Sequence, residues 1–523
     1  MYFAKSRRRG VTALAMTAVA ALATASALAV TPVLAQAKPS GTLTIAVPSD
    51  PTTLDPQMHR VRHSQTIAHT MMDKLFYQPP PGIAFGPLLA ESITQVDDTH
   101  YEVKLREGVK FHNGDELTAA DVVYTYQRMW DPANKSPRAT MGNMPNIVSI
   151  EAADKYTVRW TTKFSFGPPE VAQPLLALSN QEILHKASME KLTLEQARTT
   201  GPIGAGPFKF VEWIPEQRLV MAAFEDYWQG PPGVANLVWR TVPEESTRVA
   251  ELLAGSVDII YPVTPDFVDQ LKSAGMHLEI VPGTSARMLQ MNVREGSPFH
   301  DVEVRKAMNM AIDKVGITDN LYQGLAIPFE QVPGVGQEGH IEGYDPFPYD
   351  PEAARAVLSK VTQKIELFAT AQEQLAAEAI AEQLRGYGMN VTAIVVDSAT
   401  ITQQMDEGTF DLMLGSAGYG SGDFIGTYFG NNFECSRLEK NQTRTGFCEP
   451  SLDEKANAVR SETDPAKRTA QLEGLVKELS EEYVPWVPLF GPTEVWGMRP
   501  NVKGFIGSSA GQFFDLWKVT VDK

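Results

Sequence analysis

From position 237 the chain alternates short apolar strand-like runs with capped helical segments. That alternation confines it to a mixed α/β fold. Residues 246–253 read as a helix stopped by Gly255, and 257–260 as a buried strand. A helix over 265–274 ends before Gly275, and 288–293 is a strand. Val302, Val304, Ala307, Met308 and Ala311 lay one helical face over 301–312. A helix over 372–384, closed by Gly386 and Gly388, leads to strands at 390–396 and 410–414. Thr463 is the expected cap of a helix running to Leu479, with Pro465 in its first turn. The front of the chain differs, with strands at 41–47, 101–105, 157–160, 207–213 and 237–242. Between them, Asn113-Gly114 marks a tight turn. Thr118 caps a helix to Tyr126 with Asp121 in its first turn. Residues 505–506 and 519–521 are read as closing strands. Strand-rich and alternating regions together predict more than one sheet.

Residues 1–35 are read as an export signal. Lys5, Arg7, Arg8 and Arg9 precede the apolar run 11–30, and Val33-Leu34-Ala35 offers a small-residue cleavage site. Cleavage near Ala35 would leave 488 of the 523 residues, and losing four positive charges takes the net charge from −17 to −21. That acidity excludes a nucleic-acid binder, which needs a basic face. Cys435 and Cys448 are the only cysteines, so a disulfide scaffold and a Cys-rich metal cage are excluded. In an oxidising compartment a disulfide between them, pinning the polar loop 436–447, is the first expectation, with two free thiols as the alternative.

Residues 89–92, 101–106 and 108–122 (GVKFHNGDELTAADV) resemble the signature region of the periplasmic solute-binding proteins of peptide- and nickel-type ABC transporters, family 5. Gly206-Pro207-Phe208-Lys209-Phe210, Tyr227-Trp228, 251–258 and 299–312 are similar to further segments of that family, in the same order. The resemblance implies a type II, two-lobed α/β fold of the large class, with a ligand cleft between the lobes. Lobe I is expected over 38–283 plus 490–523, with an extra subdomain at about 82–203. Lobe II is expected over 284–489. Pro282-Gly283 and Phe490-Gly491-Pro492 are the expected crossovers. It implies a monomeric, non-enzymatic periplasmic protein that carries peptides to an inner-membrane ABC permease and uses no cofactor. An opine, an oligosaccharide or a metal chelate is the alternative cargo, and an exported hydrolase the rival class.

Peptide binders of the family pin charged termini with one acidic and one basic residue, because an unpaired buried charge is costly. Tyr419 stands where dipeptide-binding relatives carry the acid, with Asp423 as a nearby substitute on the glycine-rich loop 415–423. Arg287 could clamp a carboxylate, or form an interlobe or solvated salt bridge. Trp486 and Trp496 flank the second crossover as stacking candidates, with core packing as the competing role. His59, His63 and His69 match no metal-ligand spacing, and the sequence around the first two does not establish a helix. Residues 507–511 fit GxSxG, but the last histidine is His340, so the hydrolase order is missing.

Overall fold

The computed structural model describes residues 38–523 apart from 60, 81–84, 140–145, 164, 166–181, 284, 335–336, 419–423, 439–444, 509–513 and 523. Twelve described strands form one sheet: β1 (Thr42–Val47), β2 (Phe208–Ile214), β3 (Arg218–Ala223), β4 (Asn236–Thr241), β5 (Ile259–Ile260), β6 (His277–Pro282), β7 (Ser285–Met291), β8 (Ala326–Pro328), β9 (Lys364–Ala369), β10 (Asn390–Val395), β11 (Leu412–Gly418) and β12 (Trp486–Met498). Their order is β10-β9-β11-β7-β12-β5-β1-β4-β3-β2, with β6 and β8 also paired to β12. A separate four-stranded sheet has the order Ala90–Gln95, His100–Leu105, Thr157–Thr162, Ile147–Ala152.

The strand β12 is thirteen residues long and belongs to both ends of the large sheet. Its first part pairs antiparallel with β7, Gln290 opposite Trp486. Its second part pairs antiparallel with β6, Pro282 opposite Thr493 and His277 opposite Met498. Thus β6 and β7 follow one another along one edge of β12 and form an antiparallel ribbon with it, while β8 and β5 pair with its other edge. At the break the Gly283 N–H donates to the Pro492 carbonyl at 3.1 Å. A Cβ on Gly283 would stand 2.3 Å from that carbonyl oxygen, and one on Gly491 would stand 2.7 Å from the Phe329 ring. Close approach of backbone therefore demands glycine at 283, while glycine at 491 makes room for the Phe329 ring.

Separate cores lie at the two ends of the ribbon. One joins Leu289, Ile365, Leu367, Ile380, Leu384 and Leu414. The other joins Leu43, Ile45, Phe208, Leu237, Trp239 and Met498. A further core, with Tyr101, Phe111, Tyr126 and Trp160, covers the four-stranded sheet.

Several expectations need correction. The helix expected to end at Tyr126 runs Ala119–Trp130. Asp464, not Thr463, caps the helix Pro465–Glu478, its carboxylate accepting from the Ala466 and Lys467 N–H groups. A carboxylate adjoining Pro465 is the stronger cap. Residues 505–506 are not strand; Val502–Lys503 pairs with Thr520–Val521 instead. Arg62–Met71 is a helix and contains His63 and His69. Burial of its Ile67, Ala68 and Met71 outweighs its polar composition.

Arg305 fastens the approach to β12. Its guanidinium donates to the carbonyls of Phe299 (2.8 Å), His300 (2.8 Å), Tyr483 (2.6 Å) and Val484 (3.1 Å). Val484 is β-branched and sits in the left-handed region at φ 47°, a strained state that its surroundings must hold. Replacing Arg305 by Met leaves these carbonyls without their donor. Urea unfolding should show a loss of about 3–5 kcal/mol; a loss under about 1 kcal/mol contradicts this role.

Candidate functional site

A cavity of about 660 Å³ opens where the ribbon crosses between the two cores. That volume falls in the ~300–1,000 Å³ range of small-ligand pockets. Its walls come from opposite ends of the sheet. Tyr261–Pro265 follows β5 on one side, while Arg287, Tyr322, Glu373 and Ser416 stand on the other. Residues 492–495 of β12 line it between them.

Arg287 lies on β7 just past the crossover, in register with Ser416 of β11. Its Nε donates to Glu373 Oε1 at 2.5 Å. The side chains are 13% and 10% exposed, so this is a nearly buried ion pair. Glu373 stands after β9, at the start of the helix Gln374–Arg385. Beside it, burial and then the Glu373 charge push the Tyr322 hydroxyl up to about 12. Tyr322 therefore remains a neutral phenol at physiological pH.

The opposite wall is equally fixed. The Tyr261 ring stacks on Trp496 with centroids 4.0 Å apart and planes 18° from parallel. Its hydroxyl donates to Glu494. The Val263 N–H donates to the Val495 carbonyl (3.0 Å) and the Thr264 N–H to the Glu245 carboxylate (2.7 Å). The loop after β5 is thus anchored to β12 and to the neighbouring helix Glu245–Ala254.

Of the expected site residues, Arg287 lines the cavity. Tyr419 and Asp423 lie outside the described residues. Trp496 is 2% exposed and supports Tyr261 from the core side, packed also against Phe514. Trp486 is 4% exposed and packs against Tyr428 and Phe433. Neither tryptophan is among the described residues lining the cavity, because β12 turns both rings into cores. Cys435 and Cys448 are joined by a disulfide, and the Cys435 N–H donates to the Asp453 carboxylate at 3.1 Å. The closed loop contributes about 3 kcal/mol on the chain-entropy account.

Sequence reasoning missed Tyr261, Glu373 and Glu494. A signal existed: Tyr261 immediately follows a strand end, Glu373 comes four residues after one, and Glu494 follows the Gly-Pro crossover. Ligands of open α/β sheets gather at such carboxyl ends.

The histidines have another role. Burial lowers His59 to about 3, with the Arg138 charge adding to it. Burial likewise lowers His63 to about 4, His69 to about 3 and His112 to about 4. Each is therefore a neutral imidazole near pH 7. Among the described residues no three His, Cys, Asp or Glu side chains gather as metal ligands.

A nearly buried ion pair and a tyrosine–carboxylate wall face one another across a cavity of small-ligand size. The model of the bacterial extracellular solute-binding proteins, family 5 Middle, matches residues 84–435. The chain belongs to that family. It is 30% identical over 492 residues to the glutathione-binding protein GsiB of Escherichia coli (strain K12), covering 88% of this chain and 91% of that one. Its fold is similar to HbpA2 from Haemophilus parasuis, with TM-score 0.81, 21% identity, and coverage of 92% and 100%. It is also similar to the periplasmic binding protein DppA from Helicobacter pylori in complex with peptide STSA, with TM-score 0.77, 24% identity, and coverage of 93% and 99%. The protein is a two-lobed solute-binding protein of the ABC-transporter type and not an enzyme. Among the described residues no helix is long and apolar enough to cross a membrane.

The four histidines set a pH dependence. Below pH 6.5 the unfolded chain takes up protons that the native imidazoles refuse down to about 3–4, so their contribution to stability is lost as pH falls through that window. Buried Asp73, raised to about 7 by its burial, works oppositely: it costs stability as pH rises from 3.8 to 7. Glu182, Asp411 and Asp453, likewise raised chiefly by burial, act with Asp73, so the histidine share is read by difference: the change in melting temperature between pH 6.5 and 4.5 should be less unfavourable in a His69→Gln variant than in the native protein. An identical change in the variant and the native protein contradicts the assignment of a neutral buried imidazole at that position.

Proposed function

We propose that this protein binds a short peptide in the cleft and delivers it to an inner-membrane ABC permease. It works as a monomer in the periplasm after its leader is removed near Ala35. In this reading lobe I comprises 38–283 and 490–523, with the subdomain at about 82–203, and lobe II comprises 284–489. The ribbon of β12 with β6 and β7 is the hinge, and binding energy from cargo touching both walls stabilises the closed form.

The observation that carries the reading is the Arg287–Glu373 pair in the wall of a cavity of about 660 Å³. A peptide terminus or side chain can exchange into such a pair, and the extended backbone can meet the neighbouring strand residues 415–416 and 492–495. Two relatives support the choice of cargo: one is named for binding glutathione and another was solved with the peptide STSA.

Thermal melting with di-, tri- and tetrapeptides, glutathione, oligosaccharides, opines and metal chelates tests the reading. At about 100-fold excess over Kd a true ligand adds about 2.7 kcal/mol, so at least one peptide should raise the melting temperature by several degrees. If an opine, a sugar or a chelate raises it and no peptide does, the cargo assignment is wrong.

A further inference from the structure

The helix Ser398–Glu407 has well-made ends and an unfinished core face. Asp397 caps its start, the carboxylate accepting from the Thr400 N–H at 2.7 Å, and Gly408 ends it in the left-handed region at φ 66°. Between these caps it contains no fully buried side chain. The helix Gln374–Arg385, by contrast, buries Ala376, Ala377, Ile380, Ala381 and Leu384. A helix of ten residues depends on tertiary packing of its apolar face. Here that face is Ile401 and Met405, one turn apart. Both are half-buried: they pack against Phe368, Phe410 and Met413, and they also line the cavity. Pro262, Pro265 and Leu325, none of them fully buried, add apolar surface to the same lining. The charged side chains of the lining already have protein partners: Arg287 faces Glu373, and Glu494 accepts from the Tyr261 hydroxyl.

From this arrangement we infer that the cargo carries an apolar side chain of leucine or methionine size, which packs against Ile401 and Met405 and completes the buried face of the helix Ser398–Glu407. The inference rests on the preceding reading in seating the cargo in this cavity. An aliphatic side chain placed there removes apolar surface of both cargo and helix from water. The unbranched thioether of Met405 adapts to side chains of differing shape. A serine side chain brings its hydroxyl against the same apolar face and loses water without that return. Cargo choice and the firmness of the helix are thereby coupled. With the cavity empty, few buried contacts oppose local opening of the helix; with an apolar side chain in place, more do.

Isothermal titration of ligand-stripped protein decides the point, with Ala-Leu-Ala and Ala-Ser-Ala as one pair and the leucine- and serine-derived opines as a non-peptide pair. Ala-Leu-Ala should bind at least about tenfold more tightly than Ala-Ser-Ala. Met405→Gln, which keeps length and helix propensity but replaces the thioether by an amide, should bring that ratio below about threefold. Should Met405→Gln fail to fold, Ile401→Thr carries the test. Hydrogen exchange of the amides 401–408 in the native protein should slow more with saturating Ala-Leu-Ala than with saturating Ala-Ser-Ala. Equal or tighter binding of the serine ligands, an unchanged ratio in both variants, or equal protection of the helix by the two peptides overturns the inference. If only the opines bind, and the leucine-derived one binds about tenfold more tightly, the peptide reading sinks while the apolar preference stands. Failure of all four ligands to bind sinks both.

Discussion

The structure depends on one antiparallel ribbon. The β12 strand runs past β7 and then β6, and each end of this ribbon is built into a different core. Its break is stitched by the Gly283–Pro492 hydrogen bond. On its other edge β12 is braced by β8 at Phe490–Pro492 and by β5 at Gly497–Met498. Where it leaves the sheet interior, the two crossover segments run side by side. Glycine at 283 and 491 lets backbone and the Phe329 ring approach more closely than any Cβ would allow.

The site follows from that geometry. Residues just beyond the crossovers, Arg287 on β7 and Glu494 on β12, are delivered to opposite walls of the same cavity. Each is held by a neighbour from elsewhere in sequence: Arg287 by Glu373, and Glu494 by Tyr261. Preorganised walls reduce the ordering needed when cargo binds. The cores behind them, with Trp496 under Tyr261 and Phe490 beside Tyr322, give these groups rigid backing.

Much of the architecture was legible in the sequence. The helices around 246–253, 301–312 and 372–384 fall close to their positions in the structure, because each has a stripe of apolar residues and a Gly or Asp boundary. The strand Lys364–Ala369 went unread, since its Lys364 and Glu366 mask the buried Ile365 and Leu367 between and beyond them. The helix Arg62–Met71 was also missed, because tertiary burial and not local propensity sustains it. Arg287 was legible from its place after a Pro-Gly break. Glu373 reads locally as an ordinary acidic residue before a helix, and only the fold shows it facing a cation 86 positions earlier. Glu494 and Tyr261, 233 positions apart, present the same difficulty. The tryptophans flanking the crossover are conspicuous in sequence, yet both are packed into cores behind the strand.

The central claim is that the two halves of this molecule close on a small peptide. Native mass spectrometry of the protein isolated from its native cells, followed by release and fragmentation of whatever it carries, examines that claim most directly. The account predicts a one-to-one adduct that fragments as a short peptide. Release of a sugar, an opine or a metal chelate in its place would contradict it.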